Sequence, residues 1–219
     1  MFKKKKTLPY QINQEIPLDT PLSEITFTVF DTETTGFAVG TKDRLIEIGA
    51  VQVEGLKVTN HTFQTYVHPN RDIPQEIVAL TGIHEKNVQG APNALNAVES
   101  LFQFVETHHS ACWVGHYAAF DMVVLKKELQ REKYAFKQPQ YIDTLDLIGC
   151  LNPSWDMRDL NHYARQFGSK MFERHSALGD ALTTAHLFVE LVCHLHQRGK
   201  TRLGDVLDAT RNDYGTTKI

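Results

Sequence analysis

The run Ile25-Thr26-Phe27-Thr28-Val29-Phe30, followed directly by Asp31-Thr32-Glu33-Thr34-Thr35-Gly36, limits this chain more than any other stretch. Its first six residues have the β-branched and aromatic content of a short buried strand. Side chains two apart on a strand share a face, so Asp31 and Glu33 are aimed to the same side of the sheet. Two carboxylates held together there repel each other and lose hydration, a cost that a cation between them offsets. Hard divalent ions such as Mg²⁺ take oxygen ligands of this kind, usually alongside substrate phosphates. The pair points to metal-assisted phosphate chemistry, and the remainder of the chain has to supply the other parts.

The elements that follow predict the frame around that strand. Leu45 to Val53 reads as a second strand, Glu54-Gly55 as a turn, and Val58 to Val67 as a third, which makes an antiparallel meander. A short helix is expected over Pro74 to Leu80. Asn93 to Glu106 carries Leu95, Val98, Leu101, Phe102 and Val105 on one helical face. Ala111 to Gly115 is a compact apolar strand, followed by a helix from about Ala118 to Arg131, and Gln140 to Asp143 reads as a fifth strand. Helices over Met157 to Phe167 and Ala177 to His196 complete the order. The expected fold is α/β: a mixed five-stranded sheet, with a three-strand antiparallel meander plus two further strands, flanked by helices.

A chain of 219 residues suffices for one well-buried α/β domain. We expect an irregular lead-in over 1–23, a main domain over 24–197, and a polar tail or short appended helix over 198–219. The net charge of -3 argues against broad coating of duplex nucleic acid, but not against a pocket that takes one strand end. Cys112, Cys150 and Cys193 form no CxxC pair and read as reduced thiols of a cytoplasmic protein. Lys3-Lys4-Lys5-Lys6 is not followed by an apolar core, so a secretory signal is not expected. No apolar run reaches the length of a membrane span.

Two further constellations carry chemistry. His116-Tyr117-Ala118-Ala119-Phe120-Asp121 falls where the fourth strand hands over to a helix, a common place for sites. His175-Ser176-Ala177-Leu178-Gly179-Asp180 sits at the start of the last long helix, behind which Leu182, Ala185, Val189 and Val192 form a buried stripe. Each alone also admits a plain structural reading. Asp121 and Asp180 lie in first helical turns, where the dipole favours a negative charge, and an isolated histidine is commonly a structural one.

Taken together, Asp31, Glu33, Asp121, His175 and Asp180 resemble the motifs of the DEDD exonuclease superfamily, specifically its histidine (DEDDh) branch, which includes the proofreading epsilon subunit of bacterial DNA polymerase III. The similarity covers about residues 24–196. Tyr117 departs from it, standing where the second motif usually has Asn, and is expected to alter the hydrogen bonding around Asp121. Tyr117-x3-Asp121 also imitates the third motif of the tyrosine branch, but His175-x4-Asp180 fills that place.

The resemblance implies an RNase H-like fold and a two-metal mechanism with Mg²⁺ or Mn²⁺. In it Asp31, Glu33, Asp121 and Asp180 hold the ions and His175 takes a proton from the attacking water. It also implies that Thr34 holds the terminal 3′-hydroxyl, that Leu80 and Ile83 pack on or wedge the last bases, and that His116 and Phe120 line the pocket. The expected activity is 3′→5′ removal of nucleoside 5′-monophosphates from DNA, at a single-stranded or frayed nucleic acid 3′ end, with a DNA polymerase subunit as a candidate partner. Trimming of RNA is the alternative within the same chemistry. A catalytically silent nucleic-acid or polymerase-binding module is the alternative of another class.

Overall fold

The computed structural model describes residues 6–12, 14–152 and 159–211. The Lys3-Lys4-Lys5 part of the basic run, the first residues expected of the helix from Met157, and the end of the chain beyond 211 lie outside the described residues.

Five strands, β1 (Phe27–Thr34), β2 (Leu45–Glu54), β3 (Lys57–Tyr66), β4 (Cys112–Gly115) and β5 (Tyr141–Asp143), form one sheet in the order β3-β2-β1-β4-β5. The β1–β2 and β2–β3 pairs are antiparallel; β1–β4 and β4–β5 are parallel. Around the sheet lie α1 (Gln75–Thr81), α2 (Glu85–Val88), α3 (Ala94–Thr107), α4 (Ala118–Arg131), α5 (Thr144–Leu151), α6 (Leu160–Gln166), α7 (Ala177–Gln197) and α8 (Leu203–Arg211). This is the mixed five-stranded sheet with helical flanks that the element order predicts, in the RNase H-like arrangement that the resemblance implies.

The alternation of β1 decides where the acidic pair goes. Phe27 and Val29 enter a core shared with Leu147, Phe188 and Leu191 of α5 and α7, whereas Phe30 enters a second core with Leu101, Trp113 and Leu125 on the α3–α4 side. Continuing the period of two, Asp31 and Glu33 follow Phe27 and Val29 onto the α7 face, and Thr32 follows Phe30 onto the α4 face. The strand does not stop at Phe30. Pairing with β2 continues through Asp31↔Gly49 and Glu33↔Glu47, so both carboxylates are held within the ladder.

Gly49 lets the start of α7 meet the sheet beside these carboxylates, and Gly179 lets the first turn of α7 close against the segment that precedes it. A Cβ on Gly49 would lie 2.2 Å from the Ala177 carbonyl carbon and from the Leu178 nitrogen, and a Cβ on Gly179 would lie 2.0 Å from the Glu173 carbonyl oxygen. Buried Glu47 completes the junction: its Oε2 accepts the Ala177 N–H (2.9 Å) and its Oε1 the Gln64 side-chain N–H (2.7 Å). The N-terminus of α7, which carries Asp180, is therefore fastened to β2 directly across the ladder from Asp31 and Glu33.

Helices α2, α5 and α8 differ from expectation, α2 having no counterpart in the sequence reading. Helix α5 follows β5 without a loop, because Asp143 ends the strand and its side chain accepts the Leu145 N–H as the helix N-cap. Of the two readings for the C-terminal segment, the appended helix is the one found, and α8 is packed rather than solvated: Leu203, Val206 and Leu207 are buried in the α7-side core. In the lead-in, Ile12 and Leu22 are buried as well.

Replacing Gly49 with valine should cost about 1–3 kcal/mol through overpacking against the start of α7. Urea unfolding should show a lowered midpoint with an unchanged slope. An unchanged midpoint would contradict the close contact drawn here.

Candidate active site

A cavity of about 240 Å³ opens at the end of β1, lined by Asp31, Glu33, Asp121, His175 and Asp180 together with Thr34, Phe37, Leu80, His116, Phe120 and Arg174. All five residues expected to carry the chemistry meet there. Of the five expected to touch substrate, Thr34, Leu80, His116 and Phe120 line it. Ile83 does not: it is buried with Ile46, Ile73, Ile77 and Val88. The reason lies in the end of α1, where Gly82 takes a left-handed conformation (φ 69°) as C-cap and the chain turns under the helix. Leu80, on the open side of that helix, is 47% exposed.

Each acidic group is positioned by a different element. Asp31 and Glu33 are half-buried on β1. Asp121 is buried in the first turn of α4, where its Oδ1 accepts both the backbone N–H (2.9 Å) and the hydroxyl (2.5 Å) of Thr32. Asp180 is buried in the first turn of α7; its Oδ2 accepts the His175 N–H (3.1 Å) and an Arg174 guanidinium N–H (2.5 Å). Among the described residues, the buried Oδ1 of Asp180 has no hydrogen-bond partner. His175 sits in the turn before α7 with a left-handed backbone (φ 60°), and its ring, the Glu33 carboxylate and the Asp180 carboxylate present ligand atoms within 4.8 Å of one another.

The electrostatics follow from this crowding. Burial first, then the charges of Asp121, Asp180 and Glu33, push the Asp31 carboxyl well above the usual carboxylate range. Burial and then Asp180 and Glu47 raise Glu33 to about 8. Burial raises Asp121 to about 7 against the pull of the two Thr32 hydrogen bonds. The His175 imidazole is shifted down, by burial first and by Arg174 second, so its neutral form prevails near neutral pH. These donors fit divalent cations. They are oxygen-rich and crowded with like charge, and one buried carboxylate oxygen lacks a partner.

Tyr117 proves to matter through its backbone. It is the N-cap of α4 in a left-handed conformation (φ 63°), and its N–H donates to Asp143 Oδ1 (3.0 Å). Asparagine tolerates that conformation well, which gives the usual Asn a physical reason. At Asp121 itself, Thr32 supplies two hydrogen bonds to one carboxylate oxygen. His116 is oriented through its Nδ1, 2.8 Å from the Thr144 hydroxyl.

Three participants escape a reading of motifs alone. Phe37 is 86% exposed at the rim, its ring 5.8 Å from that of Phe120, and only its place after Gly36 hints at it. The loop that carries it is tied down by Asp43, which accepts the Ala38 N–H (2.8 Å) and pairs with Arg71 (2.7 Å), and by Arg44, whose guanidinium bonds buried Glu128 of α4. Thr32 lies unmarked between the two carboxylates. Arg174 precedes the motif histidine, with no sequence signal of its own.

Such a sheet, with a carboxylate-lined cavity at the end of its central strand, defines the class of RNase H-like nucleic-acid-processing folds. Within that class the chain belongs to the exonuclease family: the RNase_T exonuclease model matches residues 28–188. It is 35% identical over 196 residues to a DNA polymerase III subunit epsilon-like protein of Rhodobacter capsulatus, a match over 88% of this chain and 27% of that protein. It is 30% identical over 197 residues to the PolC-type DNA polymerase III of Staphylococcus haemolyticus, over 90% of this chain and 13% of that one. The chain thus spans only a minor part of the length of these relatives. Among solved structures, the nuclease domain of 3′hExo, a DEDDh family member bound to rAMP, superposes with a TM-score of 0.70 at 18% identity, covering 82% of this chain and 96% of that domain. Exonuclease X in complex with 5′ overhanging duplex DNA gives 0.62 at 23% identity, over 84% and 99%. Members of this family generally use divalent metal ions. Among the described residues, no helix is long and apolar enough to cross a membrane.

The raised carboxyl pKa values make a signed prediction. Each such group binds its proton more tightly folded than unfolded, so its stabilising contribution is complete below the unfolded pKa and is lost as pH rises through the folded one. For Asp121 and Glu33 that loss extends up to about 7 and about 8. The cation-free protein should therefore melt at a lower temperature at about pH 8 than at about pH 5.5, and added Mg²⁺ should raise the melting temperature more at the higher pH. Equal stabilisation by Mg²⁺ at both values would contradict this assignment.

Proposed function

We propose that this chain is a 3′→5′ exonuclease that releases nucleoside 5′-monophosphates from DNA 3′ ends. The observation that carries the reading is the convergence of Asp31, Glu33, Asp121, Asp180 and His175 on one cavity. The four carboxylates would hold two Mg²⁺ or Mn²⁺ ions, which when bound supply a water of lowered pKa and neutralise the departing 3′-oxygen. His175 accepts the proton of the attacking water; its lowered pKa keeps it neutral for that task, and its αL turn sets it at the edge of the cluster. The Thr34 hydroxyl donates to the Gly36 carbonyl (2.8 Å), so its oxygen retains lone pairs to accept from a terminal 3′-hydroxyl. Phe37, Phe120 and Leu80 offer the terminal base apolar surface with no hydrogen-bond pattern, which suits removal of any base. Ile83 packs with Ile77 beneath α1 and has no place at the substrate.

The preference for DNA rests on similarity to DNA polymerase III proteins, and a role in proofreading or repair beside a polymerase subunit in the cytoplasm follows from the same similarity. A second reading, exoribonuclease action, draws on the rAMP-bound 3′hExo domain of like fold. A silent binding module is disfavoured because all five chemical residues are present and meet.

Matched DNA and RNA oligonucleotides labelled at the 5′ end should be shortened stepwise with Mg²⁺ or Mn²⁺, the DNA faster, and EDTA should abolish both reactions. Cleavage that persists in EDTA, or internal cuts, would sink the reading. The Asp31→Ala protein should fall to background. His175→Ala should slow turnover by about 10²–10⁴-fold with metal binding largely kept. Rates like those of the unmodified protein in either variant would refute these roles.

A further inference from the structure

Asp180 is needed as a cation ligand in the reading above, yet it already has a cation. The Arg174 guanidinium bonds its Oδ2 at 2.5 Å, from a side chain that is 30% exposed and lines the same cavity. The same oxygen also accepts the His175 N–H, while Oδ1 stays buried without a partner. A divalent ion at Asp180 would lie close to a fixed positive charge and compete with it for the carboxylate. At such separations in a partly desolvated site, like charges oppose each other strongly. Arg174 is also long, half open to the cavity and forked, the geometry that fits two oxygens of a phosphate as readily as a carboxylate.

We propose that Arg174 is a displaceable counter-cation. It pairs with Asp180 and quiets the acidic cluster in the metal-free protein, and it transfers to non-bridging oxygens of the nucleotide phosphate when metal and nucleotide bind together. The inference rests on the exonuclease reading and adds a linkage to it. Phosphate draws the guanidinium off Asp180, so nucleotide and metal favour each other's binding reciprocally. The opposing possibility is a fixed buttress, in which Arg174 holds the Asp180 carboxylate in place at every stage.

Mn²⁺ binding measured by calorimetry, with and without a saturating nucleoside 5′-monophosphate, separates the two. The unmodified protein should bind Mn²⁺ about fivefold or more tightly when the nucleotide is present. Arg174→Met should bind Mn²⁺ alone more tightly than the unmodified protein does, and the gain from the nucleotide should shrink by about fivefold or more. Arg174→Lys, which keeps the charge and loses the fork, should leave Mn²⁺ binding alone nearly unchanged and reduce the nucleotide gain. In steady state, both variants should raise KM more than they lower kcat. Weaker Mn²⁺ binding by Arg174→Met with the full nucleotide gain retained would overturn the proposal in favour of the buttress. Failure of the underlying reading looks different: Asp31→Ala would then leave Mn²⁺ binding by the otherwise unmodified protein unchanged.

Discussion

Mutual repulsion among four carboxylates at the end of β1 is the constraint around which the rest of this structure is arranged. Asp31 feels burial together with Asp121, Asp180 and Glu33, and no helix or strand tolerates that arrangement for its own stability. The fold holds the groups together by drawing each from a different element. The central strand supplies two, and the first turns of α4 and α7, on opposite faces of the sheet, supply the others. Both helices point their positive ends at the cluster, which softens the repulsion without removing it. What remains is a standing demand for cations, and on our account the chemistry is built on that demand.

The supports show how closely the site and the scaffold are joined. Thr32 lies on the face opposite its acidic neighbours and fixes Asp121 through two hydrogen bonds. Gly49 clears the space in which α7 meets β2, Gly179 lets the preceding segment pack against the first turn of α7, and Glu47 fastens that turn to β2. Asp43, Arg44 and Glu128 brace the loop that exposes Phe37. Removing Thr32, or filling the space at Gly49, leaves all four site carboxylates in the chain but disturbs the spacing of their oxygens, on which a multi-carboxylate centre depends.

Much of this was legible in the sequence, for identifiable reasons. The β-branched run before Asp31, the stripe behind Asp180 and the strand–helix handover at His116 are local patterns with strong periodicity, so the elements could be read from them, while the convergence of the five residues was implied by the family resemblance of their motifs. What escaped depends on contacts distant in sequence. Ile83 sits one residue beyond a left-handed glycine that turns it into the core, and its apolar character is the same for a wedge as for a core residue. Helix α5 is short and starts directly after a three-residue strand whose last residue is its N-cap, which leaves too little pattern to separate them. Helix α8 looked polar because, among the residues whose burial is described, Leu203, Val206 and Leu207 are the ones that turn inward. The left-handed N-cap at Tyr117 and the Arg174–Asp180 pair leave no trace in residue type at all.

The central claim is that these carboxylates form one centre for a pair of neighbouring divalent ions. Electron paramagnetic resonance of the protein titrated with Mn²⁺ in the presence of a nucleoside 5′-monophosphate tests it most directly. The account predicts two Mn²⁺ per chain and the spectrum of an exchange-coupled pair, held by Asp31, Glu33, Asp121 and Asp180. Binding that saturates at one Mn²⁺ per chain, with an uncoupled single-ion spectrum, would contradict it.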